Sequence, residues 1–252
     1  MTEIDPALAD RLRDVGLDPT AFGDPEDAWR RLHERFGPRI TLIDRYALDA
    51  AHRRIHPDQL DAETRAQLQA DTLRAQFPDM EFTSGSERTD GTIGVAAYDE
   101  GWSTRFAEWQ ARMAAALGPA AIRIEHVGST AVPGLAAKPI VDIQVSVANL
   151  EDEGSYVPAI EASGVRLRAR ESGHRYLRPP ADRPREVHVH VCEAGSAWER
   201  DHLLFRDYLR AHPAARDAYA DLKLQLAQRY PDDRLAYTDA KSAFILDALE
   251  AA

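Results

Sequence analysis

The 252-residue chain has one cysteine, three lysines and three methionines, and it has no long apolar run. The lone Cys192 excludes an internal disulfide framework and fits a reducing cytoplasm, the expected location. No stretch approaches the ~20 apolar residues needed to span a bilayer. The opening Met1-Thr2-Glu3-Ile4-Asp5-Pro6 lacks the apolar segment of a secretory signal. Positive charge is also short: Lys plus Arg is 31 against 42 Asp plus Glu, a net −11. Such a surface does not suit a nucleic-acid backbone or anionic lipid, so neither is expected as a partner. Only Lys138, Lys223 and Lys241 stand against 28 arginines. That scarcity gives each lysine position some interest. At roughly 150 residues per domain the length allows one or two domains, each able to bury a core unaided.

Texture divides the chain. Residues 1–92 carry −7 and the remainder −4. The first part reads as helical throughout. Asp24-Pro25 makes an N-cap and N1 pair, and Trp29, Leu32 and Phe36 then recur at helical spacing. Ile40, Ile43, Ala47, Ala51 and Ile55 form a second apolar stripe, and Asp61 can cap a third helix carrying Leu68, Leu73 and Phe77. The polar, aperiodic stretch that follows reads as a linker. The expected organisation is a helical domain over 1–80, a linker over 81–92 and a second domain over 93–252.

Strand and helix signals mix in the second domain. Strands are expected over 93–98, 122–127, 140–147, 165–170, 176–177 and 186–192, and helices over 102–117, 151–163, 198–210, 213–230 and 237–249. In the strongest strand Asp142, Gln144 and Ser146 take one face while Val141, Ile143, Val145 and Val147 take the other. The expected fold class is α+β, a small mixed sheet packed with helices and preceded by an all-α domain.

The segment from Glu125 to Val145 holds the most chemistry. A strand ends in Gly128-Ser129-Thr130, a small-residue loop follows, and Lys138 precedes the strand bearing Asp142. Gly128 lets backbone approach a phosphate, Ser129 and Thr130 can donate to its oxygens, and Asp142 can hold a divalent metal. His188 and His190, two apart on a strand, share one face. Imidazole suits zinc, manganese or iron better than magnesium and also serves as a general base. Arg206 and Arg210, four apart on a helix, can clamp an anion or can pair with Asp207 at the surface. His126 is either a hydrogen-bonded core residue or a ligand for substrate. Lys223 reads as part of a solvated helix face, and Cys192 as a small buried apolar residue. The 178–185 loop, rich in Pro and Arg, reads as a lid or a hairpin end.

Taken together, Tyr98-Asp99-Glu100-Gly101-Trp102, the His126–Val145 block, His188-Val189-His190-Val191 and Leu204-Phe205-Arg206-Asp207-Tyr208-Leu209-Arg210 resemble the GrpB-like family, with Lys223 and Lys241 downstream. The resemblance runs over about 92–249. That family, also found fused behind dephospho-CoA kinase in some bacteria, is similar to polymerase-β-like nucleotidyltransferases. The superfamily implies a small mixed sheet, an NTP as co-substrate and Mg²⁺. It also implies that Lys241 faces the cleft.

This chain departs from the superfamily signature at two places. Gln144 stands where the second acid belongs, which weakens the case for two-metal chemistry. The strand expected to bring a third acid carries His188 and His190 instead. The catalytic candidates are therefore Asp142, His188 and His190, which could hold Mg²⁺, Mn²⁺ or Zn²⁺, line a polar cleft without metal, or bind substrate directly. The expected substrate-binding set is His126, Gly128, Ser129, Thr130, Lys138, Gln144, Arg206 and Lys241. The function expected is an enzyme of nucleotidyltransferase fold acting on an NTP or another small anionic molecule. The alternatives are a non-catalytic, chaperone-like binding module and a cleft repurposed for condensation or cyclisation of a metabolite.

Overall fold

The computed structural model describes residues 9, 13, 18–21, 81–83, 92–231, 237, 238 and 240–252. The helices expected over 24–77 lie outside the described residues. The chain divides into two compact units, Met1–Pro78 with Asp233–Phe244, and Asp79–Asp232 with Ile245–Ala252. Among the described residues no helix is long and apolar enough to cross a membrane.

The second unit is built on one mixed sheet. Its strands are β1 (Glu81–Phe82), β2 (Arg123–Val127), β3 (Val141–Val147), β4 (Arg166–Glu171), β5 (His174–Arg178) and β6 (Val187–Glu193). They lie in the order β1-β4-β5-β6-β3-β2, with only β3 and β6 parallel. Its helices are α1 (Gly101–Leu117), α2 (Val157–Ala162), α3 (Ala197–Ala211) and α4 (Pro213–Arg229), and α5 (Ser242–Glu250) has its first three residues in the other unit and the rest in this one. The α+β class is as expected. Two local expectations fail. Residues 93–98 form no strand and make only a single bridge, Ala96 to Ala137. Glu81 and Phe82, expected in a linker, pair with Arg170 and Ala169 as a short edge strand.

Local chemistry sets the helix ends. Asp99 Oδ1 accepts from the Gly101 amide at the start of α1, and the helix stops at Gly118, whose positive φ is followed by Pro119. Ser196 caps α3 by accepting from the Glu199 amide. The α1 face carrying Trp102, Trp109, Met113 and Leu117 covers the apolar face of the sheet, joined by Ile160 of α2. Val141, Ile143, Val145, Val147, Val187, Val189 and Val191 fill that core, each worth ~1.5–3 kcal/mol on burial.

The opposite face of the sheet is polar, and α3 lies on it. Register puts Asp142 beside His188, Gln144 beside His190, and Ser146 beside Cys192. The α3 helix docks through buried Glu199, which accepts from Ser146 Oγ at 2.6 Å and from the Gly195 amide at 2.6 Å. Burial pushes the Glu199 carboxyl up, but the bonds from Ser146 and Gly195 and the nearby Arg123 outweigh it and hold it low. Cys192 is buried beside Ser146, and desolvation raises its thiol to about 11. With Gln144 and Ser146 covered, only Asp142 on this face of β3 reaches solvent.

Candidate functional site

The site forms where β2 ends and where β3 and β6 begin. Asp142 Oδ1 lies 3.0 Å from His188 Nδ1 and 3.5 Å from His190 Nε2. Donor atoms of the three residues fall within 4.8 Å of one another, so they form a group able to hold a metal ion. Gly128 borders the group with φ +69°, and a Cβ there would collide with Asp142 Oδ2. The space beside Gly128, expected to admit a phosphate, holds the Asp142 carboxylate.

A second ring of residues fixes the histidines. Arg185 Nε donates to His188 Nε2 at 3.0 Å and Arg185 Nη2 to the Tyr176 hydroxyl at 3.1 Å. His190 Nδ1 and His174 Nε2 share a hydrogen bond of 3.0 Å, and Trp198 stacks with His174, His190 and His202. Burial pushes the Asp142 carboxyl up, yet hydrogen bonds and charge from His188 and His190 prevail and hold it well below the usual carboxylate range. Desolvation pulls His188 and His174 below the ordinary imidazole value, against their neighbouring carboxylates. Tyr176 is raised, again chiefly by burial.

Several expected ligand residues have other work. His126 lies on the opposite face of β2 from Glu125, stacked on Phe106 at 4.6 Å and bonded to Thr130 Oγ1 at 3.0 Å. Desolvation lowers it to about 4. It is the core histidine of the two readings, and the Thr130 hydroxyl, which also donates to the Ile140 carbonyl, is engaged with it. Arg206 is buried, bonded to Glu125, to the His126 carbonyl and through two nitrogens to Asp207. It anchors the end of β2, and of the two alternatives it shows the pairing with Asp207. Arg210 holds the Ala131 carbonyl through Nε and Nη2. Lys223, expected on a solvated face, is 2% exposed; its ammonium donates to the Ala136 carbonyl and sits over the Tyr219 ring. With Arg216 reaching the Pro133 carbonyl, α3 and α4 grip the 129–139 loop at three carbonyls.

Ser129 opens the helical turn after Gly128, and Lys138 is half-buried in the loop entering β3. Gln144 is completely buried with both amide atoms unpartnered. Lys241 belongs to the other unit, where its ammonium lies over the Tyr237 ring at 4.7 Å. The 178–185 loop is the end of the β5–β6 hairpin. Arg185, His174, Tyr176 and Trp198 were not expected at the site. Arg185 was detectable in principle, since it lies three residues before His188 at the strand entry.

The chain is similar to several known proteins. A UPF0157 protein of Streptomyces coelicolor is 44% identical over 173 residues, covering 69% of this chain and 90% of that protein. A dephospho-CoA kinase of Mycobacterium leprae is 29% identical over 184 residues, covering 62% of this chain and 45% of that enzyme. The crystal structure of the conserved protein GrpB from Enterococcus faecalis matches with a TM-score of 0.57 at 36% identity, covering 63% of this chain and 96% of that one. The GrpB protein family model matches residues 92–251. By fold, sequence and extent of match, the chain belongs to the GrpB family.

Proposed function

We propose that the GrpB unit is an enzyme that holds one divalent metal ion at Asp142, His188 and His190 and acts on a small anionic molecule, an NTP among the candidates. The observation that carries this reading is the convergence of those three donors beside Gly128. A tetrahedral zinc with bonds of about 2.0–2.1 Å has donor edges of about 3.3 Å. The 3.0 and 3.5 Å separations from Asp142 Oδ1 bracket that edge.

The donor chemistry selects among metals. One carboxylate and two imidazoles fit Zn²⁺ or Mn²⁺, whereas Mg²⁺ prefers oxygen ligands in octahedral array. Two-metal phosphoryl transfer needs converging carboxylates, and β3 and β6 offer only Asp142 there. The Mg²⁺ pair of the nucleotidyltransferase superfamily therefore does not fit these residues. When bound, a single Zn²⁺ or Mn²⁺ would supply Lewis-acid polarisation of an anionic oxygen. His190 is oriented by His174, as metal-ligating histidines usually are by a hydrogen bond at the far nitrogen. Gly128 keeps side-chain bulk away from the carboxylate.

The test is elemental analysis of the purified protein, followed by calorimetric titration with Zn²⁺, Mn²⁺ and Mg²⁺ and then with ATP, GTP, CTP and UTP. One equivalent of Zn²⁺ or Mn²⁺ is expected, lost in Asp142→Asn, with anion binding that depends on the metal. Metal binding unchanged by Asp142→Asn, or none in the wild type, overturns the reading.

A further inference from the structure

Resting on that metal site, one contact defines what the metal must displace. A guanidinium only donates, so Arg185 Nε, 3.0 Å from His188 Nε2, requires that nitrogen to present its lone pair. The proton of the neutral ring then resides on Nδ1, which donates to Asp142 Oδ1 at 3.0 Å. A neutral imidazole has a single in-plane lone pair, and in this arrangement Arg185 has it.

A metal ligated by His188 needs the same lone pair. If the ion binds Nε2, it takes the place of the guanidinium. If it binds Nδ1, the proton moves to Nε2, and two N–H donors face each other across 3.0 Å. In either case the Arg185 to His188 bond breaks. The displaced guanidinium stays tethered at the β5–β6 hairpin end by the Tyr176 hydroxyl, itself edge-on to His188. It is then a fork-shaped cation beside the metal, suited to a phosphate or carboxylate. Arg206, the expected clamp, is committed to Glu125, Asp207 and the His126 carbonyl and cannot take this part.

We propose that Arg185 competes with the metal for the His188 lone pair and, once displaced, becomes the anion-binding residue of the site. The two roles have opposite signatures. Removing Arg185 strengthens metal binding, since no bond must be broken, and weakens anion binding to the metal-loaded protein.

Imidazole ¹H–¹⁵N spectra of the full chain, wild type and Arg185→Gln, would be recorded without metal, with Zn²⁺, and with Zn²⁺ plus methyl phosphate. Arg185→Lys controls for charge. Metal-free wild type should show His188 as the Nδ1–H tautomer, which the bond to Asp142 retains in Arg185→Gln. Zn²⁺ affinity should rise about tenfold in Arg185→Gln, the worth of one hydrogen bond to a charged group, and methyl phosphate affinity should fall by at least as much. Arg185→Lys should recover part of the phosphate affinity. Equal Zn²⁺ affinity in wild type and Arg185→Gln leaves the metal reading intact and refutes the competition. Unchanged phosphate affinity, or an Nε2–H tautomer in the metal-free wild type, refutes it as well. If no variant binds Zn²⁺, the metal reading fails and this proposal falls with it.

Discussion

Replacing Gln144 by methionine should stabilise the protein. The Gln144 side chain is completely buried, and neither amide atom has a hydrogen-bond partner. Each unpaired polar group so placed costs about 1–3 kcal/mol relative to its solvated state in the unfolded chain. Methionine has nearly the same length and adapts to its surroundings, so repacking should cost under about 1.5 kcal/mol. The net expectation is a gain of about 1–2 kcal/mol. At about 2–4 °C per kcal/mol for a unit of this size, Tm rises by about 2–8 °C. Calorimetry on the metal-free protein measures Tm, and urea titration at 25 °C measures the free energy. Gln144→Glu serves as the contrast, because an ionised carboxylate at this covered position destabilises far more than the amide. A fall in Tm for Gln144→Met would refute the reasoning and show that the amide is satisfied in solution. Zn²⁺ affinity should be unchanged by Gln144→Met, since the amide is not one of the three converging donors.

Two further outcomes follow from the site. Gly128→Ala combines a φ of +69° and ψ of −172°, a region essentially reserved for glycine, with a Cβ 3.0 Å from Asp142 Cγ, so it should lose about 1–3 kcal/mol from backbone strain alone and shift the carboxylate. Urea titration and Zn²⁺ calorimetry would show this as lower stability and at least tenfold weaker metal binding; a Gly128→Ala variant with wild-type metal affinity would contradict the placement. His126 gives a pH signature. Its native value near 4, lowered chiefly by burial from 6.5, means that the unfolded chain takes up a proton first as pH falls. Stability is therefore full above pH 6.5 and declines by about 3 kcal/mol as pH falls to 4. His126→Gln, which can keep a bond to Thr130, should flatten that part of the urea-midpoint profile, and an unaltered slope would assign it to other groups.

The sheet was largely legible because alternation is local. The Val141, Ile143, Val145, Val147 face of β3 and the His188, His190 pair on β6 follow from side-chain parity, and the structure sets both histidines beside Asp142. Parity also held the answer for His126, which shares its face with Ile124 and lies against the apolar layer. Long-range polar contacts were not legible. Arg206 looks like a free clamp until α3 brings it to Glu125, 81 residues away in sequence. Lys223 looks solvated until the Ala136 carbonyl arrives from 87 residues away, because a backbone acceptor leaves no mark in the sequence. Gln144 reads as cleft-facing by alternation, yet the helix that docks through Glu199 covers this face.

The grip of Arg210, Arg216 and Lys223 on the carbonyls of Ala131, Pro133 and Ala136 ties the 129–139 loop to two helices through main-chain atoms. Recognition of carbonyls is indifferent to loop side chains, so the residues between Ser129 and Lys138 can vary while the path of the backbone persists. It also makes the loop and the α3–α4 pair one cooperative opening unit. Loosening either helix releases the turn at Gly128, and with it the wall against which the Asp142 carboxylate rests.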